Sequence, residues 1–436
     1  MSRRPRDDDW LMKQLIAKYA NSQRAYFLIF GVSVVVRFAF ILTLRDQYYW
    51  PDEIDYDAIA RRLVEGRGYG EQNARGPLYS FFLYGIYSIV GPQLLTVRVI
   101  QSLIDSFSAV LVTLLGKSLF NRETGVVAGL GYAIYPFFVY FPGMLLSETL
   151  YSVLFLAMVL TGDVFLKSRQ ARFFIIHGLL LGLAILCRPF AIVFLPSLAI
   201  YWFCVFSSRS YRHPLLNTAA FLLCGIAVVL PWSARNYIVH DQFIFVSNGG
   251  GRELWYGSGP YSRQSQIKKL PESMNATLLQ IGQGDYPGNE EFHSPQALQF
   301  IEDNPDLFGN VYIDYERDRF LYSETFNFVL QNPLVFVKNY VYKVVYFWKP
   351  SIFTQTQNPH TRWLPSFIGT ASYGILLTLF ILGVLSVRRR WDSFVFIYLV
   401  LGVHVLGSAL FTASMRYRLP IEPLMLLFGS YFLVTF

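Results

Sequence analysis

The first apolar segment of the chain, residues 25–44, has the sequence AYFLIFGVSVVVRFAFILTL. An α-helix needs about 20 predominantly apolar residues to cross the hydrocarbon core of a membrane, and this segment has that length. Arg37 is its single charged residue. The polar, basic segment before it lacks the small-residue cleavage site of a signal peptide, so we expect the helix to stay in the protein as an anchor.

The composition extends this prediction to the whole chain. Of the 436 residues, 53% are hydrophobic and 15% are charged, whereas soluble proteins carry about 25% charged residues. The aromatic share of 17% is typical of helices that meet lipid headgroups at two interfaces. Soluble enzymes, disulfide-stabilised secreted proteins and nucleic-acid-binding modules are therefore excluded. The net charge of +8 indicates membrane topology and attraction to membrane lipid rather than binding to nucleic acid.

Ten apolar segments predict an all-α, multi-pass integral membrane protein. Residues 173–188 and 190–206 are short and are separated by Pro189, which disfavours helix at the residue before it, so we expect a tight helical hairpin there. Residues 78–90 and 333–348 are apolar but too short to span, and we expect them to lie at the membrane interface. The ten candidate spans are 25–44, 94–116, 124–141, 147–166, 173–188, 190–206, 215–232, 364–386, 393–411 and 419–436.

The distribution of Lys and Arg predicts the orientation of these spans. With ten spans, the basic residues of the N-terminal tail and of the short connections all fall on one side, which the positive-inside rule makes cytoplasmic. The long loops then face outward. The chain divides accordingly into an N-terminal transmembrane module (1–232) with a first outer loop (45–77), an external loop domain (233–350) and C-terminal transmembrane helices (351–436).

A glycine-rich run, Ser247-Asn248-Gly249-Gly250-Gly251, lies in the predicted external domain. Because glycine has no side chain, such a backbone can approach a ligand closely. A flexible turn is the alternative, and the pattern leaves both interpretations open.

The first two outer segments carry candidate catalytic acids. Asp52 and Glu53 follow an aromatic belt at the end of the first helix, where partial burial and nearby cations can change the pKa of a carboxyl group. A general base needs such a carboxylate beside the hydroxyl that it deprotonates. Glu148 lies in an almost wholly apolar loop, where a carboxylate is costly unless it is partnered or functional. Helix capping is the alternative for these acids.

Several arginines at the outer ends of predicted helices suggest a site for an anionic headgroup. Arg75 lies just before an interfacial aromatic segment, and a guanidinium at that depth can bind a phosphate through two hydrogen bonds. Snorkelling of single arginines to ordinary lipid is the alternative. The arginines at this level are Arg75, Arg188, Arg235, Arg416 and Arg418.

Two charged residues lie near the middle of predicted spans, Arg37 in the first and Asp105 in the second. A charge at the bilayer centre costs about 2.5–3.5 kcal/mol on insertion scales and usually faces a partner inside the protein. The depths of the two residues differ by about two or three residues, or roughly 4 Å. We therefore expect Arg37 and Asp105 to form a pair between adjacent helices.

Short motifs for metals and nucleotides do not occur in the sequence. The six histidines are scattered, without an H-E-x-x-H pattern or paired cysteines, so we predict no metal ligands, although a divalent metal stays open. No Walker A, G-x-G-x-x-G or G-x-S-x-G motif is present. No cofactor is therefore implied.

Five short motifs follow one another from the first outer loop to the end of the chain. They are Asp52-Glu53, Arg75-Gly76-Pro77-Leu78-Tyr79, Leu146-Ser147-Glu148-Thr149, Pro231-Trp232-Ser233-Ala234-Arg235-Asn236-Tyr237 and Arg416-Tyr417-Arg418-Leu419-Pro420-Ile421-Glu422-Pro423. Their order and predicted topology resemble the bacterial branch of the GT-C membrane glycosyltransferases. That group includes the protein O-mannosyltransferases and the aminoarabinose transferases of lipid A.

This resemblance implies transfer of a hexose or pentose from a polyprenyl-phosphate donor to an acceptor hydroxyl, with inversion at the anomeric carbon. The reaction would take place on the outer face of the plasma (inner) membrane, and the acceptor would be a lipid, a glycan or a protein. By similarity, Asp52 is the general base, Glu53 completes the acidic pair and Glu148 matches a second-loop acid. The donor phosphate is assigned to Arg75, Arg235, Arg416 and Arg418.

Two other functions fit parts of the pattern. A transporter or flippase of lipid-linked sugars would need polar or broken helices that meet near the bilayer midplane, whereas the polar residues of the motifs gather at the predicted outer face. A noncatalytic subunit on the same scaffold would not need Asp52, Arg75 and Glu148. A glycosyltransferase is therefore the favoured interpretation.

Overall fold

The computed structural model describes residues 23–70, 74–209, 213–259, 315–350, 359–411 and 415–436. Within these ranges the chain forms sixteen α-helices, short 3-10 segments and no strands. In chain order, helices α1 to α16 are Arg24–Ile41, Pro51–Val64, Pro77–Val90, Leu94–Leu119, Arg122–Ile134, Pro136–Tyr140, Ser147–Ser168, Ala171–Cys187, Phe194–Ser208, Pro214–His240, Gly250–Ser258, Tyr315–Gln331, Pro333–Phe347, Pro359–Ser386, Val395–Leu410 and Glu422–Thr435.

All ten predicted spans correspond to apolar helices of the described part. Seven helices there are long and apolar enough to cross a membrane, and an eighth candidate is the pair Arg122–Ile134 and Pro136–Gly143, bent by 55° at its break. The bend follows from Pro136, which cannot donate the backbone hydrogen bond that a continuous helix requires. Two shorter apolar helices, α8 and α16, complete the set. The predicted fold class is confirmed.

The break at Pro189 is confirmed as well. Helix α8 ends at Cys187, and Arg188 has extended backbone angles (φ −137°, ψ 108°). A 3-10 segment, Pro189–Val193, then leads into α9. Because proline disfavours the helical conformation at the residue before it, Arg188 lies at the end of the helix.

One helix passes the boundary that the sequence predicted between the first module and the external domain. Helix α10 continues through Pro231 to His240, eight residues beyond residue 232. Residues 260–314 of the predicted external domain lie outside the described residues, as do the first 22 residues of the predicted cytoplasmic tail.

Helix α4 lies at the centre of the bundle and packs against α1, α5 and α7. One face of it is polar and buried, with Asp105 only 3% exposed. The carboxylate of Asp105 accepts a hydrogen bond of 2.7 Å from Nε of Arg37 and one of 2.8 Å from the hydroxyl of Tyr132. Arg37 also donates to the hydroxyl of Ser33 and to the carbonyl oxygen of Ala133. The predicted pair is confirmed.

Removing one partner of this pair should destabilise the protein. Asp105→Asn leaves the buried guanidinium of Arg37 without a counter-charge, a change that typically costs about 3–5 kcal/mol. We expect a clearly lower thermal unfolding midpoint for detergent-purified Asp105→Asn. The double variant Arg37→Gln/Asp105→Asn, which is neutral at both positions, should recover much of the loss. Wild-type stability of the single variant would contradict this assignment.

Candidate active site

Six charged side chains meet at the predicted outer end of the bundle and form one alternating chain of contacts. They come from five separate stretches of sequence: the start of α2, the turn before α3, the start of α7, the end of α8 and the 3-10 segment Met415–Arg418. We call this set the charged cluster. Its members, in order of contact, are Asp55, Arg75, Asp52, Arg416, Glu148 and Arg188.

Asp52 is held between two arginines. Its Oδ1 atom lies 2.9 Å from Nη2 of Arg75, and its Oδ2 atom lies 2.9 Å from Nη1 of Arg416. Arg75 also contacts the carboxylate of Asp55 at 2.8 Å. Asp52 and Asp55 are three residues apart on α2, so one face of the helix presents both carboxylates to the same guanidinium.

Arg416 joins the two predicted acidic segments. Its guanidinium contacts Oδ2 of Asp52 and also lies 2.6 Å from Oε1 of Glu148. Glu148 is fully buried and has a second cationic neighbour in Arg188, at 3.3 Å. A buried carboxylate is tolerated only when it is paired, and these two guanidinium groups supply the pairing.

Aromatic rings cover the guanidinium groups. The guanidinium carbon of Arg416 lies 4.7 Å from the ring centre of Trp50, and that of Arg75 lies 5.2 Å from the ring centre of Tyr56. Arg188 lies between the rings of Tyr151 and Tyr417. Cation–π contacts of this kind hold a planar cation in place while one edge remains available for hydrogen bonding.

Asp52 and Glu53 are adjacent in sequence but have different surroundings. The Glu53 carboxylate accepts hydrogen bonds from the backbone N–H groups of Tyr49, Trp50 and Leu145 at 2.8–3.0 Å. It therefore caps the start of α2 and ties that start to the loop before Glu148. Burial raises the pKa of Glu53, against the opposing effect of the three amides. These bonds engage both oxygens of Glu53 and give it a structural role, and its predicted catalytic role stays a prediction.

Two polar residues of α4 hold the loops on either side of the charged cluster. Arg98, which is 2% exposed, donates to the carbonyl oxygens of Arg45, Gln47 and Gly143 at 2.7–2.9 Å. Gln101 donates to the carbonyl oxygens of Pro142 and Met144 and accepts a hydrogen bond from Tyr79. The sequence analysis did not identify these residues. The signal that could have identified them is their position within the first two turns of a predicted membrane span.

Gly76 brings Arg75 against the end of α8. A side chain on Gly76 would place its Cβ atom 2.7 Å from the carbonyl oxygen of Cys187 and closer still to that of Leu186. The close approach of the two backbones therefore requires glycine at this position. It brings Arg75, the residue before Gly76, and Arg188, the residue after Cys187, into the same small region.

Two arginines predicted to bind phosphate lie outside the charged cluster. Arg418 is 1% exposed, and its guanidinium pairs with Glu422 at 2.7 Å and lies over the ring of Tyr373. Arg235 packs on the rings of Trp232 and Tyr69 and donates to the carbonyl oxygen of Gly70. Both guanidinium groups are thus engaged by other parts of the protein, and the structure gives them no contact with Asp52 or Glu148.

The glycine-rich run 247–251 begins a helix. Gly249 has a φ of +106°, and α11 starts at the next residue. The carboxylate of Asp318 accepts a 2.8 Å hydrogen bond from the N–H of Gly251. A Cβ atom on Gly251 would lie 2.9 Å from that carboxylate, so the glycine allows the two helices to pack closely. The run therefore contributes to a helix start and to packing.

Two arginines keep Asp52 ionised. Burial alone would raise the pKa of Asp52, but the charges of Arg75 and Arg416 and their hydrogen bonds outweigh burial, so that its pKa lies well below the ordinary value. In the ligand-free site Asp52 is therefore a carboxylate that can accept a proton, although a weakly basic one. Among the described residues, no group of three or more His, Cys, Asp or Glu side chains is arranged to hold a metal ion.

Comparisons with known proteins place this geometry on a known fold. The family described as dolichyl-phosphate-mannose-protein mannosyltransferase matches residues 74–233, which carry Arg75, Glu148 and Arg188. No curated protein sequence matches the chain.

Several solved structures are similar to the chain in fold. The archaeal oligosaccharyltransferase AglB from Archaeoglobus fulgidus, in complex with an inhibitory peptide and a dolichol-phosphate, has a TM-score of 0.53 and 13% identity, over 94% of this chain and 50% of that one. The apo form of the Archaeoglobus fulgidus oligosaccharyltransferase gives 0.54, with the same identity and coverage. The chain thus spans about half the length of these archaeal proteins. ArnT from Cupriavidus metallidurans, bound to undecaprenyl phosphate, has a TM-score of 0.44 and 13% identity, over 94% of this chain and 78% of ArnT. The predicted resemblance to the protein mannosyltransferases is confirmed by the family match over residues 74–233, and the similarity to the oligosaccharyltransferase structures shows a shared fold.

Replacing Gly76 should disturb the junction between Arg75 and α8. Gly76→Ala forces the two backbones apart, and overpacking of this kind typically costs about 1–3 kcal/mol. We expect a lower unfolding midpoint in detergent for this variant. Gly85→Ala is the control, because Gly85 lies on helix α3, which Gly76 directly precedes, and no atom lies within 4 Å of an added Cβ there. Alanine favours helix over glycine, so the control should be as stable as the wild type or slightly more stable. Equal stability of the two variants would contradict the packing argument.

Proposed function

We propose that the protein is a membrane glycosyltransferase that moves a sugar from a polyprenyl-phosphate donor to an acceptor hydroxyl on the outer face of the membrane. The observation that carries the proposal is the charged cluster, in which Asp52 lies between Arg75 and Arg416. One carboxylate and two guanidinium groups at the outer end of a membrane bundle are what such a reaction needs. A lipid-linked, anionic donor and a water-borne acceptor can meet there.

The arginines of the cluster are suited to the donor phosphate. A guanidinium binds a phosphate through two parallel hydrogen bonds, and it stays charged at every relevant pH. Arg75 and Arg416 are each partly accessible, with 29% and 15% of their side chains exposed. We assign the phosphate to these two residues. Arg188 is a positioning residue because it holds Glu148, which in turn holds Arg416.

Asp52 acts as the general base in this proposal. The acceptor oxygen attacks the anomeric carbon, its proton passes to the carboxylate of Asp52, and the bond from the anomeric carbon to the phosphate oxygen breaks. The polyprenyl phosphate leaves with the electron pair of that bond, and Arg75 and Arg416 stabilise the added negative charge. Attack from the face opposite the leaving phosphate inverts the anomeric carbon. A phosphate leaving group needs little acid assistance, so one carboxylate is sufficient.

A flippase is the less well supported alternative. A transporter of lipid-linked sugars would bind its substrate near the bilayer midplane between broken helices. The clearest mid-span charges in the described residues, Arg37 and Asp105, are buried and paired with each other. The proposed substrate site lies instead at the helix ends. Incubating purified protein in nanodiscs with labelled polyprenyl-phosphate sugar and candidate lipid, glycan and protein acceptors separates the two functions. A transferase releases polyprenyl phosphate as it glycosylates an acceptor, and a flippase releases none.

Asp52→Asn should abolish most of the turnover. The amide keeps the size and much of the hydrogen bonding of Asp52 but cannot accept the acceptor proton, and loss of a general base typically lowers the rate about a hundred- to ten-thousand-fold. Sugar transfer by folded, detergent-purified variant is the measurement. Asp241→Asn, at an exposed carboxylate at the end of α10, is the control and should keep wild-type turnover. If Asp52→Asn also keeps near-normal turnover, Asp52 is not the base and Glu148 becomes the next candidate.

The pH dependence of kcat/KM should show how the arginines around Asp52 change the pKa of its carboxyl group. Their charges lower its pKa, so the wild-type enzyme should lose activity only below the ordinary range of a carboxyl group. Arg416→Gln removes one of these charges while burial remains, so the pKa of Asp52 should rise and the acidic limb should move to higher pH. Arg235→Gln, outside the cluster, should leave the limb in place. An unshifted limb in Arg416→Gln would show that another group titrates.

A further inference from the structure

Helix α13, Pro333–Phe347, exposes a stripe of apolar residues and buries two polar residues on its opposite face. Leu334 is 83% exposed and Val345 is 66% exposed, and Val337 and Val341 lie on the same stripe between them. The buried positions on the opposite face include Asn339 and Lys343. A helix on the surface of a water-soluble domain has the reverse arrangement, with its apolar stripe towards the core.

The inner face of α13 lies against the membrane-spanning helix α15. The hydroxyl of Tyr340 donates to the carbonyl oxygen of Leu406 at 2.8 Å, and the ring centre of Phe347 lies 6.4 Å from that of His404. His404 is six residues from the end of α15 at Leu410, which corresponds to about 9 Å along a helix axis. The following residue, Trp348, stacks on Phe380 of α14. The C-terminal end of α13 therefore lies beside interior residues of the spanning helices α14 and α15 and not beside the ends of these helices.

Buried basic side chains donate hydrogen bonds to carbonyl groups at three helix ends in this region. Lys343 donates to Gly257 at the end of α11, at 2.6 Å, and to Phe411 at the end of α15, at 3.2 Å. Arg418 donates to Phe347 and Lys349 at the end of α13, at 3.2 Å each. Helix ends in water need no such partners, since water satisfies their carbonyl groups. In a hydrocarbon environment each backbone polar group must be satisfied by the protein itself.

From this inverted polarity, its depth beside α15 and the capped helix ends, we propose that α13 is inserted in the membrane and that its exposed stripe contacts the acyl chains of the bilayer. The stripe consists of Leu334, Val337, Val341 and Val345. It continues a lipid-facing surface, because Leu406 on the adjoining α15 is also half-exposed. Lys338 and Lys349, on the stripe and just after the helix, have side chains long enough to reach the headgroups. The proposal adds a lipid-contacting segment to the proposed function and does not depend on it.

The partner of this surface is the bilayer rather than a second protein. An interface with another protein usually has a polar rim around its apolar centre, whereas the stripe runs along the whole helix. The proposal builds on the expectation that residues 333–348 lie at the membrane interface, and it changes the predicted division of the chain for this segment. Residues 333–347 then belong to the membrane part of the protein and not to the external domain 233–350.

The test attaches an environment-sensitive fluorophore to the stripe. Val341→Cys and, as a second variant, Val345→Cys are made in a background in which the two accessible native cysteines are replaced, Cys204→Ser and Cys224→Ser. The labelled full chain is reconstituted in nanodiscs of phosphatidylcholine and phosphatidylglycerol. Quenching is measured with lipids that carry a nitroxide on the acyl chain and, separately, with aqueous iodide.

Two reference positions calibrate the measurement. Leu223→Cys lies on the spanning helix α10 and is 65% exposed, so it reports contact with lipid. Glu65→Cys lies on an exposed turn after α2 and reports contact with water. We expect the labels at 341 and 345 to behave like the label at 223, with strong quenching by the lipid nitroxide and little by iodide. Iodide quenching like that at 65 would overturn the proposal, and so would protection from both quenchers, which would indicate a protein partner on the stripe.

Discussion

The guanidinium of Arg416 is the contact on which the candidate site depends. It lies between the carboxylates of Asp52 and Glu148, which come from loops about a hundred residues apart in sequence, and it comes itself from near the C-terminal end of the chain. Charges taken out of water must be paired, and the free energy lost by leaving one unpaired is several kcal/mol. The free energy of folding therefore favours a structure in which the segments that carry Asp52, Glu148 and Arg416 come together. Any arrangement that separates them leaves at least one buried charge without a partner.

The same constraint explains the other arginines on the inner faces of the helices. Arg37 pairs with Asp105 in the middle of the bundle, and Arg418 pairs with Glu422. Arg98 has carbonyl oxygens as its partners, and it uses them to hold both loops beside the cluster. The carboxylate of Glu53 likewise holds the loops by accepting hydrogen bonds from backbone N–H groups. Residues outside the cluster thus have these structural roles, and among them Glu53 is only one position from Asp52 in the sequence.

The sequence predicted the fold class well because length and apolarity alone decide which segments can be spanning helices. It also predicted the contact of Arg37 with Asp105, since two charges at similar depth have few other partners. It did not distinguish Arg416 from Arg418, because sequence position gives the depth of a residue but not the direction of its side chain. Two residues apart on a tight turn, these arginines point to different neighbours. Asp55 was missed, although its spacing of three from Asp52 places it on the same helix face.

The balance of charge in the cluster bears on how the proposed reaction would begin. Three carboxylates face three guanidinium groups, so a phosphate that enters the site competes with the carboxylates for the arginines. Arg75 can turn from Asp52 and keep Asp55, and Arg416 can turn from Asp52 and keep Glu148. In both exchanges Asp52 is the carboxylate that loses a cation. Since those cations are what keep its pKa low, a bound donor would make Asp52 a stronger base at the moment when a base is needed.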